Sequence, residues 1–170
     1  MYKRQALNRV AGRAITQGSR KVAKEATVGD NHKKGLPVKL VRQRSRLKRA
    51  KPERLVAAIR INRGNLPAIK LGAARVQLSR RKGEKRGRGS VLRIGPYIFR
   101  NAFIQQLANG RWQVMRRLGK PRYPIDVVKV PLEIPLTQSF TAISKQLIDS
   151  DMPKELSAAL KNQLRIHLKR

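Results

Sequence analysis

Residues 102–117 of the chain read AFIQQLANGRWQVMRR. At the centre of this stretch lies Asn109-Gly110, a dipeptide that favours a tight hairpin turn because both residues tolerate a positive φ. Aliphatic and aromatic side chains flank the turn, with Trp112 and Val114 on one face of the second segment. The pattern predicts strands over residues 97–107 and 111–117, and therefore β-structure at the centre of the chain.

A second hairpin is predicted upstream of the first. Residues 57–61 and 69–71 alternate between apolar and other side chains, and the turn residues Arg63-Gly64-Asn65 separate them. Strands are also predicted over residues 75–79 and 91–94.

Two further segments of this region are less regular. Residues 80–89, RRKGEKRGRG, contain six bases, three glycines and no apolar residue, so they predict a mobile basic loop. Residues 125–132 are mostly apolar but are interrupted by Lys129 and Pro131, which predicts an edge strand or an irregular extended segment.

Helical periodicity marks both ends of the chain. The first helix is predicted from Leu7, Val10, Ala14, Ile15, Gly18 and Val22. Residues 38–50 predict a second, strongly basic helix with a poor apolar stripe. Two C-terminal helices are predicted from Leu136, Phe140, Ile143 and Leu147 and, after an Asp151 N-cap, from Leu156, Ala159, Leu160, Leu164 and Leu168.

This order of elements predicts an α+β fold: N-terminal helices, a central mostly antiparallel sheet with hairpins and a long basic loop, and C-terminal helices. A length of 170 residues suits one domain. We expect a single domain over 1–170, with a basic helical arm at 1–50, a β-rich core at 53–132 and C-terminal helices at 135–170.

Charge is extreme and unevenly distributed. The chain has 41 Lys+Arg and 9 Asp+Glu, a formal net charge of +32, of which +30 falls within residues 1–125 and +2 within residues 126–170. An excess of one sign attracts polyanions, so a partner rich in phosphate is expected. No apolar run approaches the roughly 20 residues that span a bilayer, so no membrane contact is expected.

The chain has few of the residue patterns that enzymes use for catalysis. The chain has no cysteine, and neither His32 nor His167 has a metal-ligand neighbour at helical spacing. The close acid pairs around Asp151 fall where a helix start favours negative charge, and the glycine-containing loop lacks the Lys-Ser/Thr ending of a nucleotide-binding loop. We therefore expect no enzymatic activity, no cofactor and no metal.

Residues for binding the phosphate backbone of a nucleic acid are abundant. Guanidinium groups make bidentate contacts to phosphate. The candidate binding residues are Arg80, Arg81, Lys82, Lys85, Arg86 and Arg88 in the loop, and Arg42, Arg44, Arg46, Lys48 and Arg49 in the second helical stretch. For the loop, phosphate contact is favoured over a merely solvated segment, whereas for the second cluster a solvated face fits equally well.

Sequence-specific readout has less support. No zinc-finger spacing and no RNP-like aromatic strand is present. The aromatic residues Tyr97, Phe99, Phe103 and Trp112 could stack on bases, but on alternating strands they are more often core or interface residues. Binding directed at the nucleic-acid backbone is therefore expected.

Four segments of the chain resemble the minor tail protein Z family of lambda-like tailed bacteriophages. They are LNRVAGRAITQGSRKVAKE (7–25), IRINRGNLPAIKLGAARVQLSRRK (59–82), AFIQQLANGRWQVMRRLGKPRYPIDVVKVPLEIPLT (102–137) and MPKELSAALKNQLRIHLKR (152–170). The third is the most diagnostic, with its Asn-Gly turn, its Trp strand and its Pro-punctuated run. In it, the expected structural or interface residues are Phe103, Trp112, Tyr123, Pro124, Ile125 and Pro131.

The resemblance implies a structural protein of the virion that completes the head-proximal end of the tail, joins it to the head connector and contacts or positions genomic DNA in the channel. It also implies a homo-oligomeric ring, expected to be a hexamer by analogy with the tail tube, with the tail terminator and head-tail connector as partners. Assembly would take place in the cytoplasm of the host bacterium. The alternative is a sequence-nonspecific basic nucleic-acid-binding protein of ribosomal or nucleoid type.

Overall fold

A computed structural model describes residues 2–77, 91–118 and 124–168. As predicted, the fold is α+β, with a long N-terminal helix, small antiparallel sheets in the middle and C-terminal helices. The helices are α1 Tyr2–Glu25, α2 Val38–Arg42, α3 Glu133–Ser150 and α4 Met152–Leu168. Within the described ranges, no helix has the length and apolar composition that crossing a membrane requires.

Twelve short strands are described, and all of their pairings are antiparallel. They are β1 Thr27–Val28, β2 Lys33–Lys34, β3 Ser45–Lys48, β4 Ala58–Ile61, β5 Leu66–Pro67, β6 Ala74–Gln77, β7 Val91–Ile94, β8 Tyr97–Arg100, β9 Ala102–Gln106, β10 Trp112–Arg117, β11 Ile125–Val127 and β12 Lys129–Val130. The larger sheets have the orders β6-β7-β8 and β11-β10-β9, and the smaller ones pair β1 with β2, β3 with β4, and β5 with β12.

The chain divides into two compact units, each built from segments that are distant in sequence. The helical unit comprises Met1–Lys24, Val38–Arg63 and Glu133–Arg170. The β unit comprises Glu25–Pro37 and Gly64–Leu132.

Helix α1 packs in the helical unit through the stripe that its apolar spacing predicted. Val10 and Ala14 form a buried cluster with Leu147 of α3, and Ile59 of β4 packs against this cluster. Along the same stripe, Gly18 lets the ring of Phe140 approach closely: a Cβ at this glycine would lie 3.0 Å from two ring carbons. Helices α1 and α3 are therefore in close contact at Gly18, which has no side chain to hold the Phe140 ring away.

Ion pairs connect α1 with the start of α4. The Arg13 guanidinium lies 2.9 Å from the Asp151 carboxylate and also binds Glu155, and Arg9 lies 3.3 Å from Glu155. The hydrogen bond that Arg13 donates to Asp151, together with the charge of Glu155, raises the pKa of Arg13. Asp151 directly precedes α4, as predicted, and its carboxylate accepts the hydrogen bond of a helix α1 residue.

In the β unit, one face of the β6-β7-β8 sheet forms the core. Leu92, Ile94, Tyr97 and Phe99 are all buried there. The predicted central hairpin is confirmed: β9 and β10 pair across Asn109-Gly110, with Met115 opposite Phe103. The strands predicted at 75–79 and 91–94 correspond to β6 and β7.

A second anchor of the β unit is the pair of Asp30 and Arg116. Arg116 Nη2 donates to both carboxylate oxygens of Asp30, at 2.8 and 2.6 Å, and the Arg100 N–H donates to the same group at 2.6 Å. Partial burial alone would raise the pKa of Asp30, but these hydrogen bonds and charges outweigh it and hold the pKa below its ordinary value.

Three sequence-based predictions about local structure are wrong. The strand predicted over 97–107 is broken at Asn101, whose φ is +55°, and its two parts, β8 and β9, belong to different sheets. The other two concern strand pairing. The helix predicted over 38–50 is present only as α2, and the chain then forms β3, where Leu47 lies opposite Ile59. The hairpin predicted around Arg63-Gly64-Asn65 does not form, because β4 pairs with the preceding β3 and β5 pairs with the distant β12. In both cases a non-local strand partner determined the local conformation.

Candidate nucleic-acid interface

The two faces of the β3-β4 hairpin differ in charge. Because successive residues of a strand point to opposite faces, Leu47 and Ile59 lie on one side, where Ile59 packs against the core of the helical unit. On the other side, Arg46 lies directly opposite Arg60, and Lys48 lies opposite Ala58. Arg46, Lys48 and Arg60 are all exposed, so one face of the hairpin is apolar and the other is cationic.

A groove of about 360 Å³ lies beside this cationic face, within the helical unit. Five of its seven lining residues are bases, and none is an acid. The lining residues are Lys48, Arg49, Lys51, Arg54, Val56, Ala58 and Arg60. We call this feature the basic groove.

Backbone contacts hold the rim of the basic groove in place. The N–H of Lys51 donates to the carbonyl of Arg54, and the N–H of Arg54 donates back to Lys51, at 3.0 and 3.2 Å. Just before this loop, Asn8 of α1 accepts the Ala50 N–H at 2.8 Å through its side-chain oxygen. The bases of the groove therefore project from a tethered backbone.

The five candidate bases of residues 42–49 have different surroundings. Lys48 and Arg49 line the basic groove, and Arg46 extends its cationic face. Arg42 is exposed at the end of α2. Arg44 is half-buried, its Nη1 donates to the Asn62 carbonyl at 3.1 Å, and burial lowers the pKa of its guanidinium. The position of Arg44 suits a role in fixing the hairpin better than one in binding.

The binding residues predicted from the sequence did not include three bases of the groove, namely Lys51, Arg54 and Arg60. Arg60 stood within a predicted strand, and its alternation with Ile59 and Ile61 placed it on the polar face. The missing information was the pairing of that strand with residues 45–48.

The candidate loop residues Arg80, Arg81, Lys82, Lys85, Arg86 and Arg88 lie outside the described residues, as does Tyr123. The two strands that flank the loop segment are paired, with Gln77 opposite Val91.

The aromatic candidates divide into buried and accessible groups. Tyr97 and Phe99 are buried in the β unit, which leaves their rings unavailable for stacking on bases. Phe103 is half-buried and carries the Arg117 guanidinium 5.8 Å from its ring centroid. Trp112 is 56% exposed, so packing against the residues that the structure describes does not account for it.

The remaining candidate interface residues lie around β11 and β12. Ile125 is half-buried on β11, which forms the edge of its sheet, and Pro124 and Pro131 are exposed. Over residues 2–77, 91–118 and 124–168, no three His, Asp or Glu side chains are close enough together to hold a metal ion.

Comparison with known proteins gives a consistent result. The model of the family described as "Prophage minor tail protein Z (GPZ)" matches residues 2–170. The chain is 57% identical over 166 residues to the "Tail completion protein" of Escherichia phage N15, a match covering 98% of this chain and 86% of the relative. It is 49% identical over 173 residues to "Tail completion protein Z" of Escherichia phage lambda, covering 97% and 86%. No solved structure matches the chain.

Proposed function

The chain belongs to the prophage minor tail protein Z family, and from that premise we propose that it completes the head-proximal end of a phage tail. In this role it helps to join the tail to the head connector and contacts or positions genomic DNA in the channel. Its role is structural rather than enzymatic. It acts as a homo-oligomeric ring, a hexamer, that meets the tail terminator and the head-tail connector, and it is assembled in the host cytoplasm into the virion.

The observation that supports DNA contact most strongly is the basic groove, whose lining has five bases and no acid. Phosphate contacts position a protein on DNA without reading its sequence. A channel protein meets DNA of arbitrary sequence that must later move, and diffuse cationic contacts suit that task. Arg42, Arg46 and the loop bases Arg80, Arg81, Lys82, Lys85, Arg86 and Arg88 extend the proposed contact.

The family membership also favours this role over the alternative of a ribosomal or nucleoid protein. Both relatives are named for tail completion. Fractionation of infected cells tests the distinction: we expect the chain in purified tails and virions. Its absence there, with association with ribosomes or with the bulk chromosome instead, would exclude the proposed role.

The DNA contact is tested by neutralising the groove in the full chain. The variant K48Q/R49Q/R54Q/R60Q removes four groove charges, and the matched control K145Q/K154Q/K161Q/R165Q removes four exposed charges from α3 and α4 of the same unit. Affinity for a duplex of mixed sequence is measured by fluorescence anisotropy over a range of salt concentrations.

The slope of log K against log salt concentration is about −0.9 for each phosphate contact on duplex DNA. We expect the groove variant to reduce the magnitude of this slope by about 2 to 4, and the control to change it much less. An equal reduction in both variants would mean that the groove makes no special contact and that only the net charge matters.

A further inference from the structure

A second pair of like charges lies in the β unit, apart from every residue proposed above. On strands β6 and β7, Arg75 lies directly opposite Arg93. Both side chains are exposed on the face of the sheet that is turned away from the buried Leu92 and Ile94. Among the described residues, no carboxylate forms an ion pair with either guanidinium.

Directly opposed residues of an antiparallel pair have Cβ atoms about 4.5 to 5.5 Å apart, and like charges in that position destabilise the pair. The β6-β7 hairpin nevertheless places two guanidinium groups there. An anion between them would turn this repulsion into attraction, because each group could donate to it.

The space beside the two arginines is open to a ligand. A depression of about 400 Å³ is lined by both of them together with Leu71, Gly72, Ala73 and Gly95. A Cβ added at Gly95 would meet nothing within 4 Å, and one at Gly72 would meet only Ile94, at 3.9 Å. Leu71 and three small residues thus complete the lining, while the two arginines supply the charge.

We propose that the Arg75–Arg93 pair is a phosphate-binding site of the β unit, and that its ligand is the phosphodiester backbone of a nucleic acid. Guanidinium groups bind phosphate oxygens bidentately, and two of them can hold one phosphate from both sides. Arg100 continues the same face, because it pairs with Val91, two residues from Arg93 on β7. A row of bases suits successive phosphates of a chain better than one free ion.

The choice of nucleic acid as the ligand rests on the proposed function, whereas the site itself rests on its own residues. The two proposals therefore need separate measurements. The full chain is compared with R75Q/R93Q and with the control R111Q/K129Q, which removes two exposed charges elsewhere in the β unit. A third variant, R75K/R93K, keeps both charges but loses the planar donors of arginine.

The first measurement is the salt dependence of duplex DNA binding. We expect R75Q/R93Q to reduce the magnitude of the slope of log K by about 1 to 2 beyond the reduction in R111Q/K129Q. R75K/R93K is expected to keep the slope but to bind several-fold more weakly. If R75Q/R93Q and its control give equal slopes while the groove variant still lowers the slope, the site is overturned and the proposed function stands.

The second measurement addresses the site without DNA, by titrating the protein with inorganic pyrophosphate. The Nε–H signals of Arg75 and Arg93 are followed by nuclear magnetic resonance at constant ionic strength. We expect both signals to shift and saturate together. If they do so in a chain that fails to bind DNA, the phosphate site stands, and the proposed DNA contact and the nucleic acid as its ligand are refuted. If the two signals do not shift, the phosphate site is overturned and the arginines face solvent. If the signals respond only to a glutamate-rich peptide, the site is overturned in favour of one for an acidic protein segment.

Discussion

Two glycines of α1 allow the close approach of α1 and α3 to be tested with a built-in control. Gly12 and Gly18 occupy the same helix, but a Cβ at Gly12 would meet nothing within 4 Å, whereas one at Gly18 would lie 3.0, 3.0 and 3.2 Å from three atoms of the Phe140 ring. Substitution of each by alanine therefore makes the same chemical change in two different surroundings.

The expected magnitudes follow from two opposing effects. Replacing glycine by alanine inside a helix stabilises it by about 0.5 to 1 kcal/mol, because the unfolded chain loses less entropy on folding. At Gly18 this gain is opposed by overpacking against a ring that is only 3% exposed, and overpacking costs about 1 to 3 kcal/mol. We expect G12A to stabilise the helical unit and G18A to be neutral or destabilising, with the two separated by about 1 to 3 kcal/mol.

The assay is urea unfolding followed by far-ultraviolet circular dichroism, which reports α1, α3 and α4, all of which lie mainly in the helical unit. A double-mutant cycle of G18A with F140L isolates the contact, because trimming the ring should restore part of the lost stability. If G18A stabilised the chain as much as G12A, or if the cycle showed no coupling, the packing of α1 against Phe140 would be refuted.

Three further predictions concern the β unit and the core. D30N should destabilise the β unit by about 1.5 to 3 kcal/mol at neutral pH, because it leaves the Arg116 guanidinium without its carboxylate partner. The folded-state pKa of Asp30 is lowered, so this contribution is present above about pH 4 and is lost as the pH falls through the folded-state pKa. Unfolding is followed by the fluorescence of Trp112. If D30N and the wild type still differed by the full amount at strongly acidic pH, the ion pair would not be the source of the stability. L147A should cost about 2 to 5 kcal/mol, against about 0.5 kcal/mol or less for I148A, because Leu147 is buried and Ile148 exposed; equal losses in urea unfolding would place Leu147 outside the core. W112A should change monomer stability by about 0.5 kcal/mol or less but reduce incorporation into tails, as measured by mass spectrometry of purified particles; normal incorporation would remove Trp112 from the proposed interface.

Helices α1, α3 and α4 were predictable because each carries its own apolar period. The Leu136-Phe140-Ile143-Leu147 spacing lies within α3. Three of those residues are buried, and Ile143 packs against the cluster that contains Leu147. The central hairpin was predictable for a similar reason, since Asn109-Gly110 sets the pairing of β9 with β10. In both cases the decisive information lies within a few neighbouring residues.

The other strand pairings could not be predicted, because alternation reveals the faces of a strand but not its partner. Leu66 pairs with Val130, 64 positions along the chain, and nothing near residue 66 points to that partner. Residues 45–48 contain good helix formers, so their local preference was for helix, and pairing with β4 overrode it. This pairing is a long-range property of the fold.

The same limit applied to the candidate site. Runs of bases identified Lys48 and Arg49 as cationic, but the groove they share with Arg54 and Arg60 depends on the β3-β4 register. Likewise, Arg75 and Arg93 are 18 positions apart in sequence and meet only because β6 and β7 are paired. The sequence alone shows that the chain carries many bases. The strand register shows which of these bases lie side by side.

The helical unit is built from segments that are far apart in the sequence, so its core cannot be completed early in translation. The cluster behind the basic groove unites Val10, Ile59 and Leu147, so a nascent chain that has emerged only as far as residue 132 lacks one wall of that cluster. Contacts between such distant residues form late in folding. The cluster that supports the β3-β4 hairpin is therefore completed only once α3 has been synthesised.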